Sequence, residues 1–546
     1  WGDTHLHTSM SFDAGAFGNR LGIDEAYRFA RGDEVVSSTG IPAKLSRPLD
    51  WLMVADHSDN MGFFPDLLAG EQRLLADPMG REWYDRIQAG EGVEVALDII
   101  SLFSQGKFPE SLMYSPDTMP YKTAWQQTIK KAEEYNDPGK FTAIIGFEWT
   151  SLVKGNNLHR VVMYRDGADK ASQMVAYTTV PPLGSPNPRD LWKWMAAYEE
   201  KTGGDVLAIA HNGNLSNGIM FPLNEQYDGK NLDKTYVTER AKWEPAYEVT
   251  QIKGDGETHP LLSPEDEFAD YETWDLGNLD ASVAKTDDML TGEYAREALK
   301  RGLAIEKRLG TNPYKFGMIG STDSHTSLAT TREENNFGKA TPTEPGMGEE
   351  RYMEKITGVV PSLDGSDPSI RHYESLASGL AAVWARENTR ASVWDAMKRR
   401  EVYATTGTRI TVRVFAGWHF TQGDAARPDF AAHGYANGVP MGGDLTAAAD
   451  SAAPTLLVRA IRDLPFSPNF VVHTGDIVSD PDNDAYLLAE QVLSDLELPV
   501  HYVSGNHDDE MATRKFMSIA PHTPLKGVPK KMAYSFPMGK GVSGIV

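Results

Sequence analysis

The sequence predicts an α/β fold, and three observations carry that prediction. Short apolar runs of strand length recur along the chain, each breaks off at a side chain able to bind a metal, and helix-compatible segments lie between them. A parallel sheet or an α/β barrel produces this layout, because its functional residues collect at the carboxyl ends of the strands. Asp3-Thr-His5-Leu-His7-Thr8 opens the chain as a strand, followed by a helix over Ile23–Arg31. Trp51–Ala55 is the next strand and stops at Asp56-His57. Phe141–Phe147 stops at Glu148, Val206–Ala210 at His211, and Phe316–Thr322 at Asp323. Lys122–Tyr135, Arg189–Lys201 and Ala391–Arg399 supply the intervening helices. The stretches 63–140 and 215–311 are longer than a crossover needs and read as lid insertions over the pocket mouth. The second contains the turn-like Lys253-Gly-Asp-Gly, read as a solvated cap. From Arg409 the text alternates, as a small β extension over 409–462 would.

Composition narrows the function classes. The 546 residues carry 53 Lys+Arg against 77 Asp+Glu, a formal net charge of −24. Such a chain repels phosphate backbones, so no nucleic-acid partner is expected, whereas cation binding is favoured. Cysteine is absent, which removes disulfides, thiolate-bound zinc, iron–sulfur clusters and thiol nucleophiles, and leaves any metal to His, Asp and Glu. No apolar run approaches the ~18 residues of a membrane span. The missing thiols favour a periplasmic or secreted protein, with the cytoplasm as the alternative; the start at Trp1 rather than Met implies a processed or trimmed upstream segment, of which a signal peptide could have been part. The oligomeric state is not readable.

In a strand, residues i and i+2 share a face, so His5 and His7 can offer two imidazoles to one ion. Alone, such a pair is more often a surface or core pair. Its company changes the reading: Asp56-His57, Glu148, His159, His211 and Asp323-Ser-His325 add a mixed nitrogen and oxygen donor set. His259, His372, His419 and His433 have no such setting and read as structural or surface residues. No Gly-x-Ser-x-Gly elbow or Gly-Lys-Ser/Thr phosphate loop is present. Imidazole and carboxylate donors suit Zn, Mn or Fe.

Three stretches, Trp1-Gly-Asp-Thr-His-Leu-His-Thr, Val54-Ala-Asp-His-Ser-Asp-Asn-Met-Gly-Phe-Phe64 and Gly320-Ser-Thr-Asp-Ser-His-Thr326, resemble the polymerase-and-histidinol-phosphatase (PHP) superfamily, and within it the DUF3604 family, over about 1–461. The resemblance implies a distorted TIM-like (β/α)7 barrel over 1–408 and a cluster of two or three divalent metals. Carried over by position, His5, His7, Glu148 and Asp323 hold a first metal, and Glu148 bridges to a second on His159 and His211. A third falls to His57 and His325 with Asp13, which lies where some members place another His. Asp3 and Asp56 are expected either to orient imidazoles or to act as strand-end polar residues. The catalytic residues expected are His57, His211 and Arg160. Lys44, Arg47 and Lys154 join Arg160 as candidates for neutralising substrate charge.

A second likeness lies near the C-terminus. Phe470-Val-Val-His-Thr-Gly-Asp476 and Pro499-Val-His-Tyr-Val-Ser-Gly505-Asn-His507-Asp508, with the helix-like 484–496 between them, resemble the calcineurin-like metallophosphoesterases. The opening Asp-x-His strand of that family has no counterpart just upstream, and its later His ligands are not reached by Val546. The expectation for 463–546 is a partial domain, a remnant rather than a working second site. The function expected for the whole is metal-dependent hydrolysis of small phosphate mono-, di- or triesters. In it, two cations about 4 Å apart hold a hydroxide and clamp phosphoryl oxygens, so no protein nucleophile is needed. The alternatives are a promiscuous sulfate or phosphonate ester hydrolase and a non-catalytic exported metal- or ligand-binding protein.

Overall fold

The computed structural model describes residues 1–331 apart from 105 and 281, then 345–346, 355–356, 370–371, 378–446 and 454–462, with short stretches between 471 and 545. Two compact units divide the chain, Trp1–Ile461 and Arg462–Val546.

In the first unit the strands fall into two main sheets. One has β1 (Gly2–Leu6), β2 (Trp51–Val54) and β3 (Thr142–Ile144) side by side and parallel. The other has β4 (Gly146–Trp149), β5 (Arg160–Tyr164), β6 (Val206–Ala210), β7 (Ala246–Gln251) and β8 (Gly317–Gly320) in that order, with the small strand Gly254–Asp255 also paired to β7. Outside β1 lie β9 (Leu380–Val383) and then β10 (Val402–Thr405), both in antiparallel pairings. At one seam Leu6 makes an isolated parallel bridge with Ser324, and at the other His57 makes one with Glu148.

These strands do not close into the expected TIM-like barrel. The short connection 150–159 has no room for a crossover helix, so β5 must run antiparallel to β4, and it is antiparallel to β6 as well. The result is a mixed α/β architecture of several sheets rather than a uniform ring of parallel strands.

Helices connect the strands: α1 (Ile23–Ala30), α2 (Met119–Tyr135), α4 (Lys234–Trp243) and α5 (Ala295–Leu309) cross between parallel partners, while α3 (Pro188–Thr202) and α6 (Arg390–Lys398) join antiparallel ones. Their ends follow local chemistry. Asn187 caps α3 by accepting from the Arg189 N–H, Pro188 fills its first turn, and Gly203 ends it at φ 64°. Asp233 caps α4 through the Tyr236 N–H at 2.6 Å. β2 and β6 are buried along their whole length, on both faces, which explains their unbroken apolar text. Leu52, Val54, Val162 and Ala208 pack with Tyr27, Trp125, Trp192 and Met195, while the alternate residues Met53, Val161, Met163 and Ile209 pack with Trp394 and Met397.

The two stretches read as insertions are shorter excursions than the sequence predicts. The first contains α2, a crossover helix, and the second contains α4, α5 and the core strand β7. β7 escapes a search for apolar runs because Ala-Tyr-Glu-Val-Thr-Gln carries polar side chains that are nonetheless buried. What remains of the first excursion packs through aromatic rings. Phe12 meets Phe64 and Phe103 at 5.4 Å and Phe108 at 5.8 Å, tying the short helix Phe12–Ala16 to it.

The β extension is a three-stranded sheet, Val439–Pro440, Ile410–Gly417 and Thr455–Arg462, with Phe415, Phe420, Phe430 and Leu457 as its core. In the second unit Val471–His473 pairs in parallel with Val500–Tyr502. Asp476, Asn506, His507 and Asp508 lie outside the described residues, as does 484–496 apart from Tyr486 and Leu487. Among the described residues no helix is long and apolar enough to cross a membrane.

Candidate metal centre

The carboxyl ends of β1, β2, β4, β6 and β8, with the residue before β5, deliver the imidazoles and carboxylates to one place. β1 and the segment after β8 are joined by backbone bonds at the site: the Asp323 N–H donates to His5 O (2.7 Å) and the His7 N–H to Ser324 O (2.9 Å). Asp323 sits at φ 47°, a left-handed conformation that Asp tolerates better than most residues. At the other seam the Glu148 N–H donates to Asp56 O and the Ser58 N–H to Glu148 O.

The donor atoms converge. His5 Nε2 and His7 Nε2 are 3.1 Å apart, and Asp323 Oδ1 lies 3.4 and 3.0 Å from them. Glu148 Oε2 is 3.5 Å from both and 2.7 Å from His57 Nδ1. Its other oxygen, Oε1, is 2.8 Å from His159 Nδ1 and 2.8 Å from His211 Nε2. Asp13 Oδ2 lies 2.7 Å from His325 Nε2 and 3.1 Å from His57 Nε2. With metal–donor bonds of about 2.1 Å, two donors on one ion sit about 3.0 Å apart at a right angle and about 3.4 Å at the tetrahedral angle. The spacings fit common ions.

Proton placement makes the fit stronger. His5 Nδ1 lies 3.2 Å from both oxygens of Glu248, which can only accept, so that nitrogen carries a hydrogen. Ser11 Oγ gives its hydrogen to Asp13 Oδ1 and accepts the His57 N–H, so His7 Nδ1, 2.9 Å away, must donate to it. Both Nε2 atoms of the neutral rings are then bare lone pairs facing each other and a carboxylate oxygen. Such an arrangement is repulsive until a proton or a cation stands among them. His159 Nε2 and His211 Nδ1 are also buried with no hydrogen-bond partner.

Electrostatics point the same way. Burial works against a charged His5, but Glu248 and Glu148 outweigh it and lift its pKa to about 9. Burial likewise opposes the charge on His57, and Asp13 and Glu148 outweigh it, raising the pKa to about 10. Burial holds His159 down at about 3 and lowers His211. It also pushes His7 well below its usual range, helped by His325 and His57. Glu148 resists the upward push of burial because His57, His159, His5 and His211 surround it, and its pKa falls well below that of an ordinary carboxyl.

All the ligand candidates from the sequence therefore meet: His5, His7, Asp13, His57, Glu148, His159, His211, Asp323 and His325. His57 differs from the expected assignment in that it reaches both the Glu148 side and the Asp13 side, one ring nitrogen to each. Arg160 does not belong to the site. Adjacent strand residues face opposite ways, and with His159 turned to Glu148 the Arg160 guanidinium enters the core, pairing with Glu244 at 3.0 Å and with the Leu158 carbonyl. Lys44 and Lys154 are exposed and Arg47 is partly exposed. Among the described residues, none of the three makes an ion pair with a cluster member. Among the described residues, Asp3 and Asp56 make no hydrogen bond or ion pair with an imidazole. Asp3 accepts from Thr322 Oγ1 (2.5 Å) and the His5 N–H (2.9 Å), and Asp56 from the Thr8 N–H (2.6 Å) and Oγ1 (2.8 Å), so they fix backbone at the strand ends.

Three residues escape the sequence reading. Glu248 steadies His5, Gln251 Nε2 donates to Asp323 Oδ2 at 2.9 Å, and Lys253, read as part of a solvated turn, is buried and ion-paired with Asp323. The signal available for the first two was a Glu and a Gln inside an otherwise strand-like run.

Fold and site together define a mixed α/β protein with a buried His/Asp/Glu centre suited to divalent metal ions. The chain belongs to the family described as protein of unknown function (DUF3604), which matches residues 1–470. Calcineurin-like phosphoesterase matches residues 445–539, a hint of metal-dependent phosphoester hydrolysis confined to the C-terminal part. No curated protein and no solved structure matches the chain.

Proposed function

We propose that the chain is a metal-dependent hydrolase of phosphate esters, that its working site is the N-terminal cluster, and that it is a PHP-type protein. One observation carries the reading: the Nε2 atoms of His5 and His7 converge with Asp323 Oδ1 and Glu148 Oε2, while Glu148 Oε1 faces His159 and His211. One carboxylate thus joins two donor sets. Divalent ions held there would polarise a phosphoryl oxygen and lower the pKa of water, which removes the need for a protein nucleophile. His5, His7, Glu148 and Asp323 would hold one ion and His159, His211 and Glu148 a second. His57, His325 and Asp13 could hold a third. Glu248 and Ser11 keep the imidazoles of His5 and His7 in the tautomer that presents Nε2. Zn, Mn and Fe all suit the donors. The calcineurin-like match lends phosphoester chemistry independent support. The absence of cysteine favours export.

The test is turnover of nitrophenyl phosphate mono- and diesters and nitrophenyl sulfate by the full chain loaded with Zn, Mn or Fe, with His211→Ala and His507→Ala as variants. Chelator-sensitive phosphatase activity lost in His211→Ala and kept in His507→Ala is expected. Activity lost only in His507→Ala would place the chemistry in the C-terminal part, and bound metal without turnover would favour the binding protein.

A further inference from the structure

The geometry points to Lys253 and Asn212 as an oxyanion-binding pair beside the cluster, which we propose takes the free oxygens of a tetrahedral phosphate group; this rests on the hydrolase reading above. Among the described residues, Lys253 is the lysine or arginine that makes an ion pair with a cluster member, through Asp323 Oδ2, while Asp323 Oδ1 faces His5 and His7. It is 8% exposed. Arg160, which the sequence offered for this role, is spent on Glu244.

A hydrogen-bond network settles which way the neighbouring amides face. The Lys253 backbone N–H can only donate, and it donates to Gln251 Oε1. Gln251 must therefore use its Nε2 toward Asp323 Oδ2 and Asn212 Oδ1. Asn212 has then spent its oxygen, and its Nδ2 is left buried with no partner in a residue 3% exposed. Asn157 holds this stretch in place, its Nδ2 donating to His211 O (2.7 Å) and Asn212 O (3.1 Å). Asn212 itself sits at φ 47°, a conformation few side chains other than Asn and Asp adopt readily. The Lys253 ammonium and Gln251 Nε2 thus meet at Asp323 Oδ2, and the same Nε2 reaches Asn212, which brings a buried cation and a residue with an unspent buried donor to one ligand carboxylate. The surrounding imidazoles and carboxylates are rich in acceptors, so the group that complements the pair is one that brings acceptors and negative charge. A phosphate oxygen does both. Lys253 steadies Asp323 before the anion arrives and shares its charge with the anion afterwards.

The experiment is calorimetric titration of the metal-loaded full chain with inorganic phosphate and, separately, sulfate, with metal content measured on every sample. Expected are phosphate binding by wild type, weaker sulfate binding, and at least a tenfold loss of phosphate affinity in Lys253→Met at unchanged metal content. Lys253→Arg should recover most of the loss. Asn212→Asp, which keeps an oxygen for Gln251 and removes the spare donor, should lose a similar factor. Unchanged phosphate affinity in Lys253→Met overturns the pair while leaving hydrolysis standing. So does a loss that merely tracks lost metal, since Lys253 would then only support Asp323. A metal-loaded wild type that neither binds phosphate nor cleaves its esters overturns both readings.

Discussion

Glu248→Gln separates two jobs that one carboxylate performs on His5. Both Glu248 oxygens lie 3.2 Å from His5 Nδ1 and both residues are fully buried, so the substitution keeps the shape and removes the charge. Losing a carboxylate behind a ligand imidazole costs about 10- to 100-fold in metal affinity, or about 1.4–2.7 kcal/mol. The same carboxylate also favours the competing proton, because it is the strongest influence raising the His5 pKa to about 9 against burial. At pH 7 a group of pKa about 9 is some 99% protonated, which weakens metal binding by about 100-fold. Removing Glu248 lowers that pKa and relieves the competition. The loss should therefore be full, one to two decades, near pH 9.5 and much smaller at pH 7. The assay is Zn affinity in chelator buffers at both values, with folding checked by circular dichroism. An equal loss at both pH values, or none at pH 9.5, would refute the placement of Glu248 behind His5.

Metal uptake itself should release protons. His5 and His57, with pKa values of about 9 and 10, are charged at pH 7 and must lose their protons to bind, whereas burial keeps His7, His159 and His211 neutral already. Apparent affinity should rise with pH up to about 9–10, and calorimetry in buffers of different ionisation enthalpy should count about two protons released. Zero released would contradict the histidine assignments. Arg160→Met should act on stability, not chemistry. Arg160, Glu244 and Arg240 form a buried ionic triad with Glu244 oxygens at 3.0 and 3.1 Å. Breaking a buried pair costs about 3–5 kcal/mol, and the lower end applies here because Arg240 and Trp192 still partner Glu244. Urea unfolding should show this loss with turnover per folded molecule unchanged, and selective loss of turnover would return Arg160 to the site.

The ligand candidates were legible because a polar residue ending an apolar strand has few purely structural reasons to be there. Glu148 and His211 each follow such a run and each lands in the cluster. The strand rule was also enough to separate His159 from Arg160, since neighbours on a strand cannot both face one pocket; likeness by proximity in sequence obscured it. Glu248 and Gln251 were hidden for the converse reason. A strand whose inward side chains are polar looks like loop text, although its tyrosine and valine, Tyr247 and Val249, lie in the apolar core. Lys253-Gly-Asp-Gly has turn composition and does turn, with Gly254 at φ 104°, yet a turn packed against Asp323 is no longer solvated. The departure from a barrel was written in a length, the short 150–159 connection, rather than in any residue type.

The two seams between the sheets have a further meaning. Leu6 bridges Ser324 and His57 bridges Glu148, so the backbone joints between the halves of the unit fall at or next to the donor atoms themselves. Five-stranded and six-stranded layers that share no closed ladder meet where the ions would lie. The first donor set is then a keystone: His5 and His7 come from one half and Glu148 and Asp323 from the other, so neither half completes that set alone, and an ion held there would also tie the halves together.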